Sequence, residues 1–348
     1  MKTISLKFIL LALGTVFLTS CTTLLYTSLD VLRPAEVAFA PEASDLLIIN
    51  NTVNQPADYG HKTELLNQKV QNLTISTDSL SIFCLGALFE DLEGKDFFST
   101  VKLIPKSVNK SKDFYNSNKL DKTTVKNLCF ANHTNAILSL DKIKVIDDLS
   151  EYYLPESSSF LGTLELRIES SWNIHYLNKT EVTSIQFNDT VNWESESYYR
   201  KRVLTNLPKR EDALIDGALT VGHECVNRFV PYWDKVDRYL FKTSNKLMKQ
   251  GMDSFYVKKW KCAINSWDIV LNKEKNIQIR AQVANNIAIA YEIFGDIDKS
   301  LEYAKKSFFL FNEVSFSDTN SIIRLSNYIE ELNQRKKEIL ILKKQLND

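Results

Sequence analysis

Two sets of residues recur at a fixed offset near the C-terminus, and they constrain the last third of the chain more than any other feature. Gly251, Trp260, Ala263, Trp267 and Leu271 form the first set. Ala288, Tyr291, Gly295, Ser300, Leu301, Tyr303 and Ser307 form the second. Ala263 aligns with Ser300, an offset of 37 residues. A tetratricopeptide repeat has about 34 residues, so the linker around Lys273-Glu274-Lys275 carries the excess. Small Ala288 lets two helices approach, Gly295-Asp296 makes a tight turn, and Leu301 with Tyr303 begins the next helix. Repeats of this kind bury their apolar faces only by stacking, and the last one needs a cap. Residues 318–346 supply one, with Ile322, Leu325, Ile329, Leu332 and Ile339 at alternating spacings of three and four. A short coiled coil with a partner is the alternative for that stripe. The expectation for residues 243–348 is therefore an all-α tetratricopeptide-like domain.

The preceding region reads differently. Leu46-Leu47-Ile48-Ile49 is a continuous apolar run, the pattern of a strand covered on both faces. A helix is expected over 79–98, a strand over 101–104, a helix over 122–132 and a strand over 136–145. Alternating strands and helices argue for an α/β layer. Apolar and charged residues then alternate in Leu164-Glu165-Leu166-Arg167-Ile168, and Ile185 and Phe187 return after an Asn178-Lys179 turn. This predicts an antiparallel hairpin. Leu214, Ala218, Val221, Cys225 and Phe229 stripe a helix that starts near Pro208, with Glu211 and Asp212 complementing its dipole. Val236 to Phe241 are expected to close this α/β domain, with its mixed sheet, over residues 31–242.

The first twenty residues stand apart. Lys2 and Lys7 precede an apolar stretch from Ile9 to Phe17, about half the twenty residues that a membrane span needs. That is the pattern of a removed export signal. Leu18-Thr19-Ser20-Cys21 closes it as a lipobox, with small Ser20 before the cysteine. The expectation is cleavage after residue 20, lipidation of Cys21 with more than one acyl chain, including an amide-linked palmitate-type chain, and a tether over 21–30. The mature 328 residues would carry 41 basic and 43 acidic side chains, with no basic excess for nucleic acid. Cys84, Cys129, Cys225 and Cys262 contain no Cys-x-x-Cys pair, and small buried hydrophobes are expected.

No catalytic motif emerges. His61, His133, His175 and His223 lack partners at metal-ligand spacing, and His175 is expected on a solvated strand face. The carboxylates Glu90, Asp91, Glu93 and Asp96 read as a solvated helix end. No cofactor or metal is implied. The favoured site is the concave face of the repeats. Asn245, Met248, Met252 and Phe255 would line it on the first pair, and Gln282, Asn285, Ile289 and Glu292 on the second. Amides there suit an extended peptide backbone, while Met and Phe suit its apolar side chains. The alternatives are a small-ligand or enzymatic site at Asn50 and Asn51, after the first buried strand, and a structural subunit of an envelope assembly.

Several short segments carry a resemblance: Leu32-Arg33-Pro34-Ala35, Leu47-Ile48-Ile49-Asn50-Asn51, Leu207-Pro208-Lys209-Arg210, Pro231-Tyr232-Trp233 with Arg238-Tyr239, and Asn286-Ile287-Ala288-Ile289-Ala290-Tyr291-Glu292. On these the mature chain resembles a family of outer-membrane lipoproteins of the Bacteroides group. The resemblance implies an address and an architecture, and no activity. The front domain is also loosely similar to α/β domains of envelope assembly proteins, including curli-secretion lipoproteins and the Tol-associated propeller protein. In that bacterial group an acidic run after the lipidated cysteine marks export to the cell surface. Thr22, Thr23, Leu24 and Leu25 follow Cys21 instead, which implies the periplasmic leaflet; with the repeat groove, the expected partner is an envelope protein or peptide. Asp78-Ser79-Leu80 and Asp189-Thr190-Val191 match the group's O-glycosylation pattern, making Ser79 and Thr190 candidate acceptors.

Overall fold

The computed structural model describes residues 23–116, 119–314 and 319–346. The chain forms an α/β region with a mixed sheet, followed by an all-helical region. It divides into two compact units: one is Ala35–Tyr232, and the other joins the segment ending at Pro34 to Trp233–Lys344.

In the α/β unit, β2 (Asp45–Asn50) lies between β5 (Thr100–Ile104) and β6 (Ala136–Leu154), parallel to both. Its apolar run is fully buried because both faces are covered. Leu46 and Ile48 join the core with α1 (Leu80–Glu93) and α4 (Arg210–Phe229). Leu47 and Ile49 meet Val125 and Cys129 of α2 (Lys122–Asn132) on the other face. Beyond its pairing with β2, β6 runs on beside β3 (His61–Glu64), which carries the short β4 (Gln71–Asn72). Its other edge pairs antiparallel with β7 (Ser159–Tyr176), and β7 with β8 (Thr183–Ser197). The expected hairpin is this β7–β8 pair, in which Trp172 faces Ile185 and Ser170 faces Phe187. Leu164, Leu166 and Ile168 point inward as the alternation required. A short helix, α3 (Arg200–Thr205), precedes α4. The predicted stripe of α4 is buried throughout, and Gly222 lets it approach α1: a Cβ there would lie 2.3 Å from the Cys84 carbonyl oxygen.

The helical unit contains α5 (Lys246–Tyr256), α6 (Trp260–Lys273), α7 (Ile277–Phe294), α8 (Ile297–Asn312) and α9 (Thr319–Gln345). The residues of both repeat sets do what their sizes suggest. Gly295 ends α7 with φ of 90°, Ala288 and Ser300 are fully buried, and the rings of Tyr291 and Tyr303 stack at 5.5 Å. Trp267 packs over Gly251 and donates from Nε1 to the Met248 carbonyl at 3.2 Å.

Five expectations need correction. Of the residues read as a tether over 21–30, those from Thr23 onward instead form part of β1 (Thr23–Arg33), because Leu24 and Leu25 pack on the helical core and Arg33 is paired to Asp234. The strand meant to close the α/β domain, β9 (Tyr232–Lys242), instead pairs with β1 and inserts Leu240 and Phe241 among the helices. The boundary expected after residue 242 thus falls before Trp233. His175 is buried: it pairs with Ile137, whose side chain packs with Val125 and Cys129 of α2, and its Nε2 lies 3.4 Å from Ser139 Oγ. Cys84, Cys129 and Cys225 are buried free thiols as expected, but Cys262 is exposed.

A Cβ on Gly251 would lie 2.1 Å from Trp267 Nε1. The ring is enclosed and cannot retreat, so Gly251→Ala is expected to destabilise the helical unit by about 2 kcal/mol, as overpacking commonly does. Chemical denaturation checks this.

Candidate functional site

The structure brings the eight predicted groove residues together, but not on an open surface. Asn245 caps α5, accepting from the backbone N–H groups of Leu247 and Met248. Met248, Met252, Phe255, Gln282, Asn285, Ile289 and Glu292 are all buried. Their groove is filled by the chain's own strand β9.

The filling follows the chemistry expected of an extended peptide. The Asn286 side chain grips one residue at two points: Oδ1 accepts from Phe241 N, and Nδ2 donates to Phe241 O, both at 2.8 Å. Asn285 Nδ2 donates to the Tyr239 carbonyl at 2.9 Å. Leu240 and Phe241 enter the core, where Phe241 meets the Phe311 ring at 5.7 Å. A cavity of about 140 Å³ remains beside Tyr239, Asn285, Arg324 and Tyr328.

A buried ion pair completes the grip. The Arg238 guanidinium makes two contacts with the Glu292 carboxylate, at 2.9 and 3.0 Å, and a third with Glu331 at 2.8 Å. Arg335 also reaches Glu292, and Tyr328 donates its hydroxyl to it at 2.8 Å. Burial pushes the Glu292 carboxyl up, but hydrogen bonding from Arg238 and the charges of Arg238 and Arg335 outweigh this and hold it below its ordinary value. Burial pushes the Tyr328 hydroxyl far up. Sequence reasoning missed Asn286, Arg238, Tyr328 and Arg335 as members of this site. The signal available for two of them was the resemblance alone, since Asn286 opens one of the segments that carry it and Arg238-Tyr239 belongs to another.

The alternative site at the strand ends is a closed network. Asn50 Nδ2 donates to Ser81 Oγ and to the Pro105 carbonyl. Asn51 Nδ2 donates to Asp141 Oδ1 at 3.1 Å, beside a donation from Ser139 Oγ at 2.7 Å, while Asn173 reaches Oδ2. Burial raises the pKa of Asp141 despite these donors. Burial also depresses that of His175 to about 4, helped by the charge of Lys119. A second buried cluster ties β3 to the start of α4. His61 Nδ1 meets Asp147 Oδ1, Arg210 Nε sits 3.0 Å from Asp147 Oδ2, and Arg210 also donates to Lys62 O and Thr63 Oγ1.

Ser79 precedes α1 and Thr190 lies on β8, both exposed. Cys21 lies outside the described residues. Asp91, of the helix-end carboxylates, contacts His223 at 2.9 Å on the surface. Among the described residues no group of three His, Cys, Asp or Glu side chains could hold a metal ion, and no helix is long and apolar enough to cross a membrane.

Removing one partner of the buried pair strands the other charge. Glu292→Ala is expected to cost about 3–5 kcal/mol, whereas Arg238→Met combined with Glu292→Leu should cost clearly less. Paired denaturation curves test this. For His175, the unfolded chain takes up a proton near the ordinary value of 6.5, and the folded chain only near 4. Its contribution is therefore present above pH 6.5 and lost as pH falls toward 4. Stability of His175→Gln, measured by urea titration across that window, should fall less steeply than that of the parent.

Comparison with known families assigns the chain. It belongs to the family described as a domain of unknown function, DUF8603, whose profile matches residues 43–241. A second such profile, DUF6340, matches residues 249–334. No curated protein matches the chain.

Proposed function

We propose that this DUF8603-family chain is a lipoprotein of a bacterial outer membrane, of the Bacteroides-group type, anchored through Cys21 on the periplasmic side. We propose further that it works as a non-enzymatic scaffold for another envelope protein. The leader and lipobox support the address. The absence of an acidic run after Cys21 supports the leaflet.

The observation that carries the scaffold reading is the surface of α9. Since β9 fills the inner groove, partner contacts belong on the outside of the helical unit. Two open clefts run along α9. One, of about 820 Å³, is polar and lies among Arg33, Asn327, Glu330, Gln334 and Lys337. The other, of about 470 Å³, is lined by Phe294, Ile297, Ile339 and Leu340, of which Phe294 and Leu340 are 51% and 60% exposed. Exposed apolar side chains beside charged ones suit the amphipathic helix of a partner, with its apolar stripe against Phe294 and Leu340 and its polar flank along the first cleft.

The test is photo-crosslinking in intact cells from positions 333 and 340, with position 309 on α8 as the control. Crosslinks to a single envelope protein from α9 alone are the expected result, and Phe294→Asp with Leu340→Asp should reduce them about tenfold, as loss of apolar anchors does. Crosslinks from position 309 but not from α9 would overturn the reading.

A further inference from the structure

We infer that the helical unit lies directly on the bilayer, with the amino end of β1 at the lipid headgroups. The inference rests on the anchor reading above and concerns what that anchor holds. Only one residue separates Cys21 from Thr23, the first residue of β1. Two steps of extended chain span at most about 7 Å. The headgroup layer on each side of a bilayer is itself about 5–7 Å thick. A cysteine carrying two or more acyl chains stays at that layer, so the start of β1 stays within it or at its edge.

A flexible β1 would decouple the fold from this constraint, but β1 is built into the helical unit. Leu24 and Leu25 pack on the helical core. Ser28 donates to Asp237 at 2.5 Å, and Arg33 pairs with Asp234 at 3.1 Å and with Glu338 of α9 at 2.9 Å. These contacts run in opposite order along the two strands. The lipid-proximal end of β1 therefore lies beside the end of β9 that Asn285 and Asn286 hold. At most about 7 Å of chain therefore separates the lipidated cysteine from the strand pair. Tyr26 is 67% exposed within the first residues of β1. Its apolar ring and polar tip suit the interface between lipid and water.

The experiment uses the full lipidated chain in vesicles of phosphatidylethanolamine and phosphatidylglycerol. Cys262→Ser removes the exposed thiol, and Tyr26→Cys carries an environment-sensitive fluorophore; neither change touches the core. A lipid bearing a headgroup-level quencher reports depth. The comparison chain has ten Gly and Ser residues inserted between Cys21 and Thr22, a coil of about 17 Å. At native spacing the label should be quenched at least about twofold more than in the inserted chain, given the thickness of the headgroup layer. Equal quenching in the two chains overturns the inference. Intact-mass analysis separates this failure from the other: a chain without lipid on Cys21 sinks the anchor reading itself, and this inference with it.

Discussion

The grip of α7 on β9 is the interaction on which the helical unit depends. Asn286 satisfies both backbone groups of Phe241 in a place that water does not reach. A buried backbone group left unpaired costs about 1–3 kcal/mol, so each of these bonds matters more for what its loss would strand than for its net strength. Arg238 and Glu292 extend the same logic to full charges. Burial disfavours each alone, and the contacts with Glu331, Arg335 and Tyr328 make the pair tolerable. Once β9 is fixed, β1 has a partner strand, and Arg33 can tie α9 to both.

Much of the fold was legible because its signals are local. The run Leu46–Ile49 announced a strand covered on both faces, and the stripe of α4 announced a helix with one buried side. Small Ala288 and left-handed Gly295 marked the helix pair. The failures are of another kind. Val236 to Phe241 were expected as the closing strand of the α/β domain, yet no local signal tells a strand which partner it will find. Its nearest sequence neighbours are α4 and α5, and the residues that capture it lie some 45 positions later. Asn285 holds an extended backbone, at Tyr239, but that backbone is part of the same chain, while the sulfurs of Met248 and Met252 lie buried beside Asn286. His175 failed similarly: alternation gave its face, but only the β6 register shows that Ser139 and Asp141 make that face a buried polar layer.

The capture also explains a mismatch between sequence and structural divisions. The first family match ends at Phe241 and the second begins at Met252's helix, at residue 249. The structural division falls before Trp233. A fragment limited to the second match would retain Asn286 and Glu292 but lose the Phe241 backbone and Arg238 that satisfy them. Stranded polar groups of this kind favour unfolding over an empty groove.

If β9 belongs to the helical unit as one of its parts, it cannot leave the groove while the helices stay folded. Native-state hydrogen exchange measures this directly. The Phe241 amide should exchange with the same opening free energy as the central amides of α7, and with the same denaturant dependence. Exchange of Phe241 at an opening free energy lower than that of α7 by more than about 2 kcal/mol would mean that the strand opens by itself. The groove would then be a site from which β9 is released, and the strand would not be an integral part of the helical fold.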